Sequence, residues 1–219
     1  MAGLRERKKQ ETRKRISDIA TGLFLSRGFD KVTVAEIAEL ANVSKMTVFN
    51  YFARKEDMLF DREDEALALV ERAIAERPAG ASPVDALHVW MRRALGEGYP
   101  MIAVSPGVRV FWRTVDASPV LRARAREVFD KIEARIAQLL AADAQVESDD
   151  PGAALAAAMI WAVQRVTYAV GNAAVDRGEP VDHVRRRQRD AIDRGFAQIT
   201  AGLAGTPYAR AARRPGARR

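Results

Sequence analysis

Cysteine does not occur in the 219 residues, so disulfides and thiolate metal sites are excluded, and a reducing cytoplasm suits the chain. Histidine occurs only twice, as His88 and His183, too sparse for a histidine-based metal site. No metal and no other cofactor is expected. Long apolar runs are also missing: the longest, residues 153–163, stops at Gln164-Arg165, short of the roughly 20 residues that span a bilayer. The first residues, Met-Ala-Gly-Leu and then charges, carry no apolar signal core. A cytoplasmic chain with no membrane partner is expected. Sustained strand alternation is absent from every window, which leaves an all-α fold. There is no phosphate-cradling glycine loop and no nucleophile with a base at a readable spacing, so an enzyme is not expected.

What the sequence does have is unevenly placed positive charge. The formal net charge is +7. Residues 1–55 contribute +6 and residues 206–219 contribute +5, which leaves −4 on the stretch between. A basic head on a mildly acidic body points to a polyanion-binding head and a body with another task. Arg5, Arg7, Lys8 and Lys9 allow two readings, a solvated disordered start or an arm that reaches DNA.

Residues 32–55 carry the sharpest signal. Val34, Ile37, Ala38 and Ala41 fall at i, i+3, i+4 and i+7, one apolar face of a helix. Thr33 and Glu36 form a capping box at its start. Asn42-Val43-Ser44 is a turn, and Ser44 caps a second helix from Lys45 to about Phe52. Val48 and Phe52 point inward on it, leaving Lys45, Met46, Thr47, Phe49 and Asn50 outside. A cation, hydroxyl and amide groups, an apolar tip and a ring are what a helix in a DNA major groove presents.

From Thr12 to about Asp61 the chain resembles the DNA-binding domain of TetR-family transcriptional regulators. The resembling residues are I-x-x-I-A-x-x-L-F from Ile16, R-G-F-D-K-V-T-V from Arg27, I-A-E-L-A-N-V-S from Ile37, T-V-F-N-Y-F from Thr47 and K-E-D-M-L from Lys55. The resemblance implies that Thr33, Tyr51 and Lys55 bond phosphates. With Ser44, Lys45, Met46, Thr47, Phe49 and Asn50 they make the expected DNA-binding set. Two departures stand out. Phe49 lacks the hydroxyl of the Tyr common there, and Arg54 replaces a small capping residue, putting a cation at the positive end of the next helix dipole. A DNA phosphate near Arg54 would offset that.

The body is expected to be a helical bundle, with about nine helices in the whole chain. After a lever helix over residues 55–76, Ser82-Pro83, Ser105-Pro106, Ser118-Pro119 and Asp150-Pro151 each read as an N-cap followed by Pro at the first helical position. The helices that follow run about 83–95, 106–116, 119–143, 151–176 and 181–203. His88, Trp90, Phe111, Trp112, Phe129 and Met159 are the expected lining of an effector site, and their character suits a small apolar ligand. A weak resemblance of the body to regulators of bulky apolar and acyl-thioester ligands implies the same. Arg93 and Arg109 are candidates to meet an anionic group. The broad apolar faces of the last two helices suggest a partner surface, and the resemblance supplies a second copy of the chain. Leu155, Val166, Ile192, Phe196 and Ile199 are expected at that interface.

The organisation expected is therefore a helix-turn-helix DNA-binding domain over 1–55, an effector-binding and dimerisation domain over 56–205, and a basic disordered tail over 206–219. The expected function is a homodimeric repressor released from a palindromic double-stranded operator by a small apolar effector. An activator of the same fold, or an all-α enzyme, is the alternative.

Overall fold

The computed structural model describes residues 3–209, and they are all-α. Nine α-helices form among them: α1 (Leu4–Arg27), α2 (Val34–Leu40), α3 (Lys45–Tyr51), α4 (Glu63–Ala75), α5 (Pro83–Gly96), α6 (Pro106–Ala117), α7 (Pro119–Ala144), α8 (Pro151–Asp176) and α9 (Val181–Gly202). Two short 3₁₀ turns, Lys55–Met58 and Pro207–Ala209, complete the set. No strand forms among the described residues.

The chain divides into two compact units. One runs through Asp64 and takes in Val110–Phe129; the other takes Glu65–Arg109 and continues from Asp130. The divisions fall inside α4, α6 and α7 rather than at residue 55.

In the first unit, Ile16, Ala20 and Phe24 of α1 meet Ile37 and Ala38 of α2 and Val48 of α3, all of them buried. Val115, Leu121 and Ala125 belong to the same core. Burying an aliphatic side chain of this size contributes about 1.5–3 kcal/mol, enough for a few such residues to hold helices of seven residues that would melt alone. Helix α1 begins at Leu4, so Arg5, Arg7, Lys8 and Lys9 lie on a helix instead of an unstructured start. Lys, Arg, Glu and Gln are good helix formers, and Lys14 pairs with Asp18 at i, i+4 over 2.9 Å.

The single helix expected over 55–76 is broken. Its first residues form the 3₁₀ turn, and α4 starts only at Glu63. The carbonyl of buried Met58 accepts the Ser17 hydroxyl at 2.9 Å, a bond to another helix that anchors the turn to α1.

In the second unit, α8 and α9 pack closely. Gly195 permits it: a Cβ there would lie 2.4 Å from Val163 Cγ2. Gly171 does the same on α8, where a Cβ would meet Gln188 Nε2 and Val104 Cγ2, each at 2.8 Å. Gln188 is fully buried. Its amide donates to Ile102 O at 3.0 Å and accepts from Val104 N at 3.1 Å, which fixes the loop before α6.

Three expectations about the ends and caps change. Ser82 and Asp150 cap α5 and α8, accepting from Asp85 N and Ala153 N, but the buried Ser118 hydroxyl has no hydrogen-bond partner. The tail does not begin at Thr206. Tyr208 is buried and its hydroxyl donates to Asp150, which raises the phenol to about 12. The five tail arginines and residues 1–2 lie outside the described residues. By length and composition α8 is apolar enough to cross a membrane, contrary to the shorter run expected; 44% of that window is buried inside the chain.

Candidate nucleic-acid interface and effector site

The interface is built from the α2–α3 pair. Thr33 caps α2: its hydroxyl accepts from Glu36 N at 3.2 Å, and Glu36 Oε2 accepts from Thr33 N at 2.8 Å. The Thr33 N–H, the Arg27 guanidinium at 2.8 Å and the Thr33 hydroxyl at 2.9 Å all donate to the Glu36 carboxylate and pull it down to about 2. Asn42 takes the left-handed conformation, φ 51°, which lets the chain reverse within three residues. Ser44 then caps α3, accepting from Thr47 N at 3.0 Å, and its hydroxyl lies 2.9 Å from that of Thr47.

This geometry fixes which way α3 faces. Val48 is wholly buried against α2 and Phe52 nearly so. Lys45, Met46, Phe49 and Asn50 point away from the core, with Met46 70% and Phe49 50% exposed. Large apolar side chains held out on a rigidly capped helix are poorly explained by folding. Lys45 has no ion-pair partner among the described residues. Ser44 and Thr33 are exposed, and Thr47 is half-buried beside them.

Two of the expected phosphate contacts sit differently. Lys55 is partly buried: its Nζ donates to Phe29 O at 2.6 Å and lies 4.1 Å from the Phe29 ring centroid. Burial pushes its ammonium below the ordinary lysine value. These contacts brace the first unit. Tyr51 is half-buried, and its carbonyl accepts from Arg13 at 3.0 Å.

Arg54 needs no phosphate to offset it. It reaches Glu127 at 2.7 Å and Asp57 at 3.4 Å, while the Asp57 carboxylate accepts from Arg54 N at 3.0 Å. Buried Arg124 completes the network, bonding Asp57 at 2.8 Å and Glu63 at 2.5 Å. Removing one carboxylate would leave this buried guanidinium under-compensated, which is costly. Nothing in the composition of residues 110–129 signalled that they would join the first unit. Asp57 and Glu63 lie 67 and 61 residues from Arg124, so their pairing required the fold.

The expected effector residues divide between the two units: Phe111, Trp112 and Phe129 belong to the first, and His88, Trp90 and Met159 to the second. Phe111, Trp112 and Phe129 pack together in the first unit, Trp112 tilted on Phe129 at 5.6 Å and Phe111 edge-on to Phe60 at 5.9 Å between centroids. His88 lies flat on Phe196 at 4.7 Å and its Nε2 is 2.8 Å from Asp193. Met159 is near Gly202 on α9. Trp90 lines a small cavity. That cavity, about 20 Å³, is bounded by Val70, Leu87, Trp90, Met91, Met101, Ile102, Ile136, Ile160, Trp161 and Gln164. It holds about one water, whereas ligand sites run about 300–1,000 Å³. A groove of about 380 Å³ opens between α4 and α5, and Trp90 lines that too. Sequence reasoning missed Met91, Met101, Trp161 and Gln164, because period alone does not say which apolar face meets a void. Arg93 and Arg109 are committed to Glu97 at 2.8 Å and Asp176 at 3.0 Å.

The expected dimer residues also separate. Ile192, Phe196 and Ile199 are buried within the chain, at 2% exposure or less, because they form the side of α9 that faces inward. They are not available to a partner. Leu155 and Val166 are 61% and 53% exposed. Exposed Ala169 and Ala173 and half-buried Met159, Ala162 and Val170 lie on the same face of α8.

Residues 16–61 match the profile of the family described as bacterial regulatory proteins, tetR family. The chain is 33% identical over 154 residues to the HTH-type transcriptional regulator TcmR of Streptomyces glaucescens, covering 68% of this chain and 67% of that protein. Among solved structures it is similar to the SmeT–triclosan complex, with TM-score 0.59 at 21% identity over 86% of this chain and 91% of the other. It is also similar to a TetR-family regulator from Mesorhizobium loti, with TM-score 0.56 at 18% identity over 86% and 96%.

Proposed function

The chain belongs to the TetR family of bacterial regulatory proteins, which are transcriptional regulators and not enzymes, and from that premise we propose that it is a cytoplasmic homodimeric repressor released from a palindromic operator by a small, largely apolar effector. The observation that carries the proposal is the outward face of α3. Lys45, Met46, Phe49 and Asn50 are held away from the core by a capped helix whose other side is fully buried. Lys45 is suited to guanine O6 and N7, and Met46 or the Thr47 methyl to a thymine methyl. Thr33, Ser44 and Tyr51 stand beside them for phosphate contact, which positions the protein without reading sequence.

A second copy is supported by the exposed apolar face of α8. A two-fold axis would present two α3 helices to half-sites about one helical turn apart. The effector is supported more weakly, by the groove and cavity that share Trp90; SmeT, which has the same fold, was solved with triclosan.

Binding to DNA flanking the gene tests the proposal. Tight binding to one inverted repeat, and weak salt-sensitive binding to scrambled DNA, is expected. Equal affinity for both across salt concentrations would refute it.

A further inference from the structure

Resting on the reading of α3 as the helix that meets DNA, we infer that Arg13 is a positioning residue for it. Its guanidinium ties the last turn of α3 to α1 and to the segment that leads into α4, and so sets where Asn50 and Tyr51 stand against the operator. Three contacts make the tie. Arg13 donates from Nη1 to Tyr51 O at 3.0 Å and from Nε to Asp61 Oδ1 at 2.6 Å. Its guanidinium carbon lies 4.6 Å from the centre of the buried Phe52 ring.

The sequence of α3 explains why an outside group is needed. The last four carbonyls of a helix lack intrahelical partners, and α3 has only seven residues. Ser44 holds its first turn. Its last turn has no basic residue of its own, and the chain leaves it at Phe52 in an extended conformation, without a left-handed cap. Arg13 supplies what is missing: a donor for a terminal carbonyl and a positive charge at the negative end of the helix dipole. The planar fork of arginine permits this, since it can bond two partners while its flat face covers a ring. Asp61 orients the fork in turn. Its side chain is 14% exposed against 42% for that of Arg13, so the anchoring end is the buried one.

Asp61 stands two residues before α4 begins at Glu63. A shift of that segment therefore reaches the far end of the recognition helix through one side chain. Charge alone would act differently. As a lone cation, Arg13 would attract the phosphates of any DNA equally, and Asp61, the acid bound to it, would subtract from that attraction. Removing Asp61 should then strengthen binding to every DNA. If the pair positions α3, removing either partner weakens the operator complex selectively, because base contacts depend on register and phosphate attraction much less.

The test uses the full-length protein, the inverted repeat from the DNA flanking the gene, and scrambled DNA of equal length. Affinities are read by fluorescence anisotropy at several salt concentrations, with circular dichroism on the same samples to show that each variant is folded. Arg13→Met and Asp61→Ala are each expected to lower the ratio of the two affinities by at least about fivefold. The double variant should lose no more than Arg13→Met alone, since the two side chains act as a unit. Arg13→Lys keeps the charge without the fork, so it should keep the wild-type salt dependence and recover only part of the ratio. Asp61→Ala binding both DNAs more tightly, or Arg13→Met weakening both equally with a flatter salt dependence, would make Arg13 a phosphate contact and overturn the inference. Variants that unfold at lower urea concentration yet keep the wild-type ratio would overturn it too, leaving Arg13 a brace of the fold. A wild type without preference for the repeat would overturn the DNA reading and this inference with it, whereas a wild-type preference retained by every variant would overturn this inference alone.

Discussion

At the scale of single residues, Lys45 and Lys55 show how one side-chain type serves two ends. Lys45 stands exposed at the first turn of α3, while Lys55 is folded onto Phe29. Lys55→Met keeps the stem and removes the ammonium, leaving the Phe29 carbonyl and ring without their cation. A loss of about 1–2 kcal/mol in the stability of the first unit is expected, read by urea unfolding of the full chain. Unchanged stability would return Lys55 to the solvent side. Glu36 gives a pH dependence of definite sign. Its folded-state carboxyl is lowered from 4.5 to about 2 by the Thr33 backbone bond first and Arg27 after it. Its contribution is therefore fully present above about pH 4.5 and lost as pH falls towards 2. The protection of the Ile37 and Ala38 amides against exchange, taken relative to the intrinsic rate at each pH, should fall across that window in the wild type, and Glu36→Gln should flatten the change. An equally steep acid limb in the variant would show that other carboxylates carry it.

At the scale of elements, Gly195→Ala tests the seam between α8 and α9. The added methyl would lie 2.4 Å from Val163, a branched and buried side chain with little room to turn. Overpacking of this kind costs about 1–3 kcal/mol, and the thermal midpoint should fall accordingly. Gly22→Ala, with nothing within 4 Å of its Cβ position, is the control and should raise the midpoint or leave it unchanged. Most helices were legible in the sequence because Ser-Pro and Asp-Pro starts and apolar stripes are local signals; α5 to α8 begin at Pro83, Pro106, Pro119 and Pro151, although Ser118 makes no cap bond. The break between the 3₁₀ turn and α4 was not legible. It depends on Ser17 reaching the Met58 carbonyl from 41 residues away. The recognition helix could be read in full, since capping, turn and burial all act within twenty residues. Where Phe111, Trp112 and Phe129 pack was not legible, because they satisfy the same period whichever unit they join.

At the scale of the whole molecule, the proposed dimer and the proposed reading of DNA are one mechanism, since one α3 helix reaches only one half-site. Leu155→Glu places a charge on the exposed face of α8, where it costs the monomer little. The dimer should dissociate in sedimentation, with the fold intact by circular dichroism and affinity for the inverted repeat reduced at least about tenfold. Ile192→Glu, by contrast, should unfold the chain, because Ile192 is wholly buried within it. A Leu155→Glu protein that stays dimeric would move the interface elsewhere. The most direct measurement concerns the outward face of α3: the affinity of Lys45→Ala for the inverted repeat and for scrambled DNA, at several salt concentrations. A loss of about 1–3 kcal/mol on the repeat, with much less on scrambled DNA, is the expected result. An equal loss on both would contradict sequence reading by α3 and leave Lys45 a phosphate contact.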